Sequence, residues 1–205
     1  MPPAGSGKNR AALLEAAIGC LARRGYARTT SRDLAAAAGA NLAAITYHYG
    51  SKEELLHQAL LEGFRRWFES LVDDAVVIAE PPGPELVPRL ANALESSLDA
   101  NRGLALAFLE ALAQADHSTK LRRQLAKSYE DARLRLGPLL KDALGLDERA
   151  ASDLASGMIA IADGLLIQWL LDSRATPSAI DVVAAITAAA RSQPADSGSA
   201  TEAHG

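Results

Sequence analysis

Hydrophobic and polar residues follow a helical periodicity along most of the chain, and no segment shows the two-residue alternation of a half-buried strand. The first periodic segment places Leu13, Ala17 and Leu21 on one apolar stripe. This spacing predicts a helix over residues 8–24. Gly25 ends it, because glycine readily adopts the backbone conformation that closes a helix.

Glycines and capping residues divide the next segment into two short helices and one long helix. The pattern predicts helices over residues 31–38, 41–49 and 52–78, separated at Gly39 and Gly50. Hydroxyl or amide side chains stand at each predicted start and can accept hydrogen bonds from backbone amides that the helix leaves unpaired. The third of these helices would be about 40 Å long.

Five further helices are predicted beyond a linker rich in proline and glycine at residues 81–84. They cover roughly residues 85–100, 103–114, 118–144, 147–171 and 177–191. Pro138 predicts a kink or break in one of them, because proline lacks the amide that a helix interior needs. The small, polar residues at 1–7 and 192–205 predict a disordered lead and a disordered tail.

Pattern and composition together predict an all-α protein of about nine helices. The 205 residues are 49% hydrophobic but only 4% aromatic. This length suits a small N-terminal three-helix domain, residues 8–51, joined by a long helix to a larger helical domain, residues 52–191. We call these parts the head and the body.

Charge is divided unevenly between the two ends of the chain. Residues 1–52 carry seven basic and two acidic residues, a net charge of +5, whereas residues 53–205 carry a net charge of −9. The overall charge of −4 therefore hides a basic head on an acidic body. Such a division is typical of a chain whose head meets phosphate and whose body does not.

Other classes of protein find little support. The single cysteine, Cys20, cannot form an internal disulfide, and no uninterrupted apolar run reaches the roughly 18–20 residues of a membrane span. We therefore expect a cytoplasmic protein without membrane contact. The four histidines lack zinc-ligand spacing, and nucleotide-binding and nucleophile motifs are absent. We expect no metal, no cofactor and no enzymatic activity.

The segment over residues 30–55 carries the main functional signal. Its two short helices flank Gly39 and contain alanines that permit close approach, and Leu34 and Ile45 can fill the space between them. A tight, glycine-containing turn between short helices is typical of a helix-turn-helix, whose second helix fits the major groove of DNA. The sequence therefore predicts a DNA-binding surface from Ser31 to about Lys52.

The same segment resembles the TetR family of bacterial repressors. The resemblance rests on Thr29, Thr30 and Ser31, on the alanine-rich helix with Gly39, on Ile45, and above all on residues 47–55 (YHYGSKEEL). This last block is similar to the family's usual Tyr-His-Phe-x-Ser-Lys-Glu-x-Leu. The similarity covers about residues 8–60, and the later helices share only the family's general architecture.

The family pattern implies DNA contacts for individual side chains. Those implied at backbone phosphate are Ser31, Arg32, Tyr47, His48 and Lys52, and those implied to face the groove are Asn41, Leu42, Ala43 and Thr46. Thr46 departs from the tyrosine that is frequent at its position. Because Leu42 and Ala43 cannot hydrogen-bond to bases, we expect sequence reading to depend on Thr46, Arg32, thymine methyl contacts and DNA shape.

Some of these residues have ordinary structural alternatives. Without the surrounding motif, Tyr47 would be interpreted as a packed surface aromatic. Arg28 is equally compatible with a contact to the DNA backbone or with exposure to solvent. Cys20 and Tyr49 are assigned to the core. Glu53 and His57 are four residues apart on a helix, which indicates a surface ion pair.

The last two predicted helices are apolar over most of their circumference, in residues 157–171 and 179–190. Such helices need cover on more than one face. The resemblance implies that two copies form a four-helix bundle, so we expect a homodimer through about residues 147–191. The alternative is that these helices are buried within one subunit.

The resemblance also implies a site for a small molecule inside the body. The candidate residues for a largely apolar pocket are Trp67, Phe68, Phe108, Leu112, Tyr129, Met158, Ile161 and Trp169, with Glu110, Asp163 and Gln168 as polar groups that could orient a ligand. Ordinary core packing is the alternative for each of them.

These inferences predict a ligand-responsive regulator, most simply a repressor. It would bind a palindromic DNA operator as a homodimer and be released by a small, largely apolar ligand. The long helix over residues 52–78 belongs to both domains and could change the spacing of the two heads. Two alternatives stay open: a regulator gated by a protein partner, and an apolar-ligand carrier or enzyme with a purely structural head.

Overall fold

The computed structural model describes residues 6–76 and 83–192, with side chains from residue 9 onward. Within these residues the chain forms nine α-helices and no strand. They are α1 (Ser6–Arg24), α2 (Ser31–Ala38), α3 (Leu42–Tyr49), α4 (Lys52–Val76), α5 (Leu86–Ser97), α6 (Arg102–Ala115), α7 (Thr119–Leu144), α8 (Glu148–Leu171) and α9 (Ala179–Arg191). The predicted all-α architecture is confirmed.

The first helix begins earlier than the sequence predicted. α1 starts at Ser6, so the last two residues of the expected disordered lead already belong to a helix. The rest of that lead, the end of the long helix at residues 77–78, the linker at residues 81–82 and the tail from residue 193 lie outside the described residues.

Two other boundaries differ because of side-chain hydrogen bonds. α5 ends at Ser97 and does not continue to Ala100. The side-chain amide of Asn101 donates to the Ser97 carbonyl at 2.9 Å and so satisfies the end of this helix. α9 begins at Ala179, not at Pro177, because the Ser178 hydroxyl accepts from a backbone amide of the first turn.

The break expected at Pro138 does not occur. α7 continues from Thr119 to Leu144 with Pro138 inside it. Proline cannot donate to the carbonyl of Leu134, but the Leu134 side chain is 67% exposed, so this side of the helix is accessible to water. Water can reach this side of the helix and take the place of the missing donor.

One apolar core extends from the head into the body. It joins Leu34, Ile45 and Tyr49 of the head to Phe108 and Leu166 of the body. α1 packs against α2, α3, α4 and α6, while α4 also packs against α5 and α7. The head is therefore completed by body helices and does not possess a separate core.

The contact between α1 and α6 is unusually close. A Cβ atom added at Gly103 in the first turn of α6 would lie 1.8 Å from the backbone carbonyl oxygen of Ala22 in α1. A Cβ atom added at Gly63 of α4 would lie 3.0 Å from the side chain of Leu104 in α6. Because these two glycines lack side chains, α1, α4 and α6 meet closely at the boundary between head and body. We call the contact of α1 with α6 at Gly103 the α1–α6 joint.

The most apolar helix is only partly covered. By length and composition alone, α8 is long and apolar enough to cross a membrane, with a mean hydropathy of 1.7 over its best 18-residue window. Only 22% of that window is buried, and it packs mainly against α7.

The joint predicts that an alanine at position 103 destabilises the fold. Gly103→Ala should lower the free energy of unfolding by about 1–3 kcal/mol, because the new methyl group forces α6 away from a backbone atom. Urea unfolding measures this effect. Gly19→Ala in α1 is the control. Its Cβ meets only the flexible end of Arg23, so this change should raise stability by about 0.5–1 kcal/mol. Equal effects of the two changes would contradict the close approach.

Candidate nucleic-acid interface and ligand cavity

One glycine and one capping asparagine form the turn between α2 and α3, and a capping box begins α2. Gly39 has a φ of 62°, and its amide donates to the Ala36 carbonyl at 3.3 Å. Thr30 and Asp33 form a capping box at the start of α2, each side chain accepting from the other's backbone amide. Asn41 caps α3 through its side-chain oxygen, which accepts from the Ala44 amide at 2.9 Å. The bonds at Gly39 and Asn41 close α2 and begin α3, and the capping box stabilises the opposite end of α2.

α3 buries one side and exposes the other. Ile45 and Tyr49 are 3% and 7% exposed and belong to the core, whereas Leu42 and Tyr47 are 50% and 71% exposed. The outward residues are Asn41, Leu42, Ala43, Thr46 and Tyr47, which together form the recognition face. A short helix held from behind by two buried side chains presents this face as a rigid surface.

Tyr49 fastens the recognition helix to α1. Its hydroxyl donates to the Arg10 carbonyl at 2.6 Å, and the Arg10 guanidinium carbon lies 5.4 Å from the centre of its ring. Burial raises the pKa of Tyr49, which keeps the hydroxyl protonated as a donor. Assignment of Tyr49 to the core by sequence agrees with this position.

The other predicted DNA contacts flank the recognition face. Arg32 is exposed, and Ser31, His48 and Lys52 are half-buried. The Lys52 ammonium lies 3.5 Å from the Glu53 carboxylate, and such surface pairs contribute only about 0–1 kcal/mol. It can therefore exchange this partner for a phosphate. Contact of these nine residues with one DNA duplex stays a prediction.

His57 does not form the expected ion pair with Glu53. Its Nε2 atom shares a hydrogen bond of 2.9 Å with the Tyr26 hydroxyl, and the two rings stack at 5.7 Å between centroids. Burial lowers the pKa of His57 and raises the pKa of Tyr26 to about 12, so both groups are held neutral. The pair anchors the loop after α1 to the start of α4.

Arg28 and Ser51 make hydrogen bonds at the end of α1 and the start of α4. Arg28 Nε donates to the Arg24 carbonyl at 3.0 Å, which ties this side chain to the end of α1. Ser51 caps the Glu54 amide at 3.1 Å, but the Glu54 carboxylate pairs with Lys120 of α7 at 2.7 Å and does not complete a capping box. The start of α4 is thus linked to the body.

Glu110 connects the head with the body and does not face the interior of the body. Its carboxylate accepts from the Ala27 amide at 2.9 Å, across 83 residues of sequence. Phe108, two positions earlier on α6, points to the opposite side and contacts Phe64 at 4.3 Å between ring centroids. α6 therefore touches the head with one side and the interior of the body with the other.

A cavity of about 700 Å³ lies between α4, α5, α7, α8 and α9, with Leu14 of α1 and Phe108 of α6 also in its wall. Seven of the eleven predicted pocket residues line it: Trp67, Phe68, Phe108, Tyr129, Met158, Ile161 and Asp163. Its volume is within the roughly 300–1,000 Å³ of typical small-molecule sites. The walls are formed mainly by aliphatic and aromatic side chains.

Four predicted pocket residues lie elsewhere. Glu110 is bonded to the head, and Leu112 is 38% exposed on the outer surface of α6. Gln168 is exposed on α8, where its amide donates to the Gly164 carbonyl at 3.3 Å. Trp169 packs under Arg102, whose guanidinium carbon is 5.1 Å from the ring centre. Helical periodicity alone did not tell which side of α6 and α8 faces the cavity.

Sequence reasoning missed part of the cavity wall. Phe64 lies one turn before Trp67 on α4, a spacing that indicates a shared face, and the two ring centroids are 5.4 Å apart. Leu90, Leu94 and Val183 also line the cavity from α5 and α9. Their sequence signal is an ordinary amphipathic pattern, which does not distinguish a cavity wall from a filled core.

One polar pair lies in this apolar wall. The Tyr129 hydroxyl donates to the Asp163 carboxylate at 2.7 Å, joining α7 to α8. Burial raises the pKa of Asp163, and burial also raises the pKa of Tyr129, with the nearby carboxylate contributing. Among the described residues, no group of three or more His, Cys, Asp or Glu side chains could hold a metal ion.

The charged residues at the cavity margin are mutually neutralised. Arg65 contacts Glu62 and Glu69 at 2.7 and 2.6 Å, and Lys127 contacts Asp131 at 2.8 Å. The hydrogen bonds from Arg65 lower the pKa of Glu62 to about 2, so this carboxylate is ionised at neutral pH.

Comparison with known proteins assigns each part of this arrangement to a family of regulators. Residues 13–59 match the family described as "Bacterial regulatory proteins, tetR family". Residues 88–195 match the family described as "BetI-type transcriptional repressor, C-terminal". The first match contains the recognition face, and the second contains most of the cavity wall.

Individual relatives extend over nearly the whole chain. The regulator TtgR of Pseudomonas putida is 29% identical and covers 86% of this chain and 85% of its own length. The regulator BetI of Agrobacterium fabrum is 30% identical over 80% of this chain and 78% of its own. A crystal structure described as multidrug binding protein EbrR complexed with imidazole superposes with a TM-score of 0.64 and 27% identity, covering 86% of this chain and 93% of that one.

Proposed function

Because the chain belongs to the TetR family of bacterial transcriptional regulators, we propose that it is a repressor that binds a palindromic DNA operator as a homodimer. In this proposal a small, largely apolar ligand enters the body cavity and releases the DNA. The site of action would be the cytoplasm. The repressor role is supported by the family to which the body is similar, which is described as a repressor.

The observation that carries the proposal is the recognition face. Tyr47 is 71% exposed and Leu42 is 50% exposed, although both belong to a helix held by a buried core. Large apolar and aromatic side chains in a basic domain favour a contact surface over a simple solvent boundary. The major groove accommodates a helix of this size, and the net charge of +5 over residues 1–52 favours phosphate.

Within this surface the side chains are suited to different tasks. Arg32, His48 and Lys52 lie at the margin and carry donors for phosphate, which would fix the head on the duplex without reading sequence. Thr46 carries an exposed side-chain hydroxyl in the recognition face that can hydrogen-bond to a base edge. Asn41 uses its oxygen as a helix cap but keeps an amide NH2 group that can donate.

Two substitutions separate anchoring from sequence reading. Lys52→Ala should weaken binding about equally for all DNA sequences and reduce the slope of log affinity against log salt by about one unit. Thr46→Ala should alter sequence preference at one position of each half-site. Fluorescence anisotropy with a library-selected duplex and with scrambled duplexes measures both effects.

Lys127→Ala provides the matched control, because this lysine is 69% exposed on α7 and belongs to the body. Its DNA affinity and salt slope should equal those of the unmodified protein. If neither Lys52→Ala nor Thr46→Ala changed DNA binding, the assignment of the recognition face would be wrong.

The homodimer is supported by the uncovered side of α8 and α9. Ala160, Ile167 and Leu171 are exposed along α8, and Ile186 is exposed on α9. A Cβ atom at Gly164 would meet nothing within 4 Å, so the surface of α8 has room for a second helix. Burial of this surface against its two-fold copy would remove apolar area from water, and it would place two heads on one duplex.

The dimer proposal predicts that a charge in the middle of this surface separates the subunits. Ala160→Glu should shift the protein to monomer at micromolar concentration, because two carboxylates would face each other in an apolar interface. Sedimentation equilibrium measures the shift. Ala126→Glu, at an exposed alanine of α7, is the control and should leave the mass unchanged. A monomeric unmodified protein, or a dimeric Ala160→Glu variant, would contradict this interface.

The two other functional hypotheses receive less support. The matched relatives are transcriptional regulators and not enzymes, which removes the reason to treat the head as purely structural. Gating by a protein partner needs no internal space, whereas the body contains a cavity of about 700 Å³. A small molecule therefore explains more of the structure.

Coupling between cavity and DNA would pass through α4 and α6. α4 runs from the recognition helix to the cavity, where Phe64 and Trp67 contribute to the wall. α6 bears Phe108 on the cavity side and Glu110 on the head side. A ligand that prefers another position of these helices would change the spacing of the two heads, and only spacings near 34–36 Å suit successive major grooves.

A further inference from the structure

We propose that the ligand taken by the body cavity is a lipophilic organic cation, with the carboxylate of Asp163 as its counter-charge. This inference rests on the proposed function of the cavity as a small-molecule site and adds the sign of the ligand's charge. It follows from the position of Asp163, from the charge balance of the cavity wall, and from the aromatic rings beside it.

Asp163 is an incompletely paired carboxylate in an apolar wall. One of its oxygens accepts from the Tyr129 hydroxyl at 2.7 Å, and the other has no hydrogen-bond partner among the described residues. Removing a carboxylate from water is costly unless an opposite charge or several hydrogen bonds compensate. A single phenol does not supply that compensation, so an occupant with a positive charge would complete the site.

The other charges at the wall do not supply a cation for Asp163. Arg65 is bound to Glu62 and Glu69, Lys127 is bound to Asp131, and the Arg135 guanidinium lies 3.6 Å from Asp73. Within the described residues that line the cavity, each basic side chain therefore has its own acidic partner. Asp163 is the charge that remains without one.

Aromatic rings extend from Asp163 along the wall. Tyr129 binds the carboxylate, Phe108 follows at 6.2 Å between ring centroids, Phe64 at a further 4.3 Å, and Trp67 at a further 5.4 Å. The faces of such rings attract cations, and their area attracts apolar groups. A cation with apolar substituents satisfies the carboxylate and the rings together.

The remaining polar groups of the wall do not favour an anion. The Trp67 indole N–H is already donated to the Ser97 hydroxyl at 2.8 Å, and the Ser128 hydroxyl is donated to the Gln124 carbonyl at 3.2 Å. Gln124 has a buried side-chain oxygen without a partner among the described residues. Its amide can present either atom to an occupant and so does not fix the sign of the charge, whereas Asp163 does.

Tetraphenylphosphonium and tetraphenylborate provide the test, because these ions have nearly the same size and shape and opposite charge. Isothermal titration calorimetry on the full-length protein at neutral pH measures both affinities. Tetraphenylphosphonium should bind about tenfold or more tightly than tetraphenylborate, since an anion beside a poorly solvated carboxylate is repelled.

Asp163→Asn removes the charge and keeps the shape and the hydrogen bond from Tyr129. It should weaken tetraphenylphosphonium about tenfold, and tetraphenylborate should bind no more weakly than before. The control is Asp142→Asn, at an exposed carboxylate of α7 that does not line the cavity; it should change either affinity less than about twofold. Circular dichroism and retained DNA binding verify that both variants fold.

The possible results separate this inference from the proposed function. Equal binding of the two ions, or a preference that survives Asp163→Asn, would overturn the cation proposal and leave the cavity as an apolar ligand site. Binding of neither ion would contradict both the cation proposal and the small-molecule role of the cavity. Failure to bind DNA would contradict the proposed function but leave the ion preference measurable.

Discussion

The DNA-binding head depends on an apolar core that it cannot complete by itself. Leu34, Ile45 and Tyr49 fix the recognition helix from behind, and the same core continues through α1 and α4 to Phe108 of α6. Gly103 lets α6 approach the backbone of α1 so closely that no side chain fits between them. Because tightly packed interiors shift between discrete arrangements more readily than they deform continuously, we expect a change at one end of this core to affect the other end.

This constraint explains how the two candidate sites can be connected although they lie on different helices and share no residues. The recognition face lies on the outer side of α3, and the cavity lies on the far side of α4 and α6. α6 is the helix that contacts both regions directly, since Phe108 lines the cavity while the Glu110 carboxylate accepts from the Ala27 amide of the head. Thermodynamic linkage is reciprocal. If a ligand in the cavity changes the affinity for DNA through this core, then DNA must change the affinity for that ligand by the same factor.

Much of the head could be predicted because its signals are local. Thr30, Gly39 and Asn41 act through hydrogen bonds or dihedral angles within a few residues, and these depend on chemistry that the sequence displays. The joint could not be predicted in this way. Glu110 finds its partner 83 residues away, and Gly103 resembles any glycine near a helix start until α1 is placed against it. The cavity lies between these cases, because periodicity identified apolar sides of helices but not whether the space between them is filled.

The most direct test of this shared core is hydrogen exchange of the backbone amides, measured with and without a DNA duplex selected from a random library. DNA should slow exchange in α2 and α3, where it binds, and also at Ala27 and through α6, which does not touch it. Protection of α2 and α3 with unchanged exchange at Ala27 and in α6 would contradict the account, because the head would then respond to DNA independently of the body.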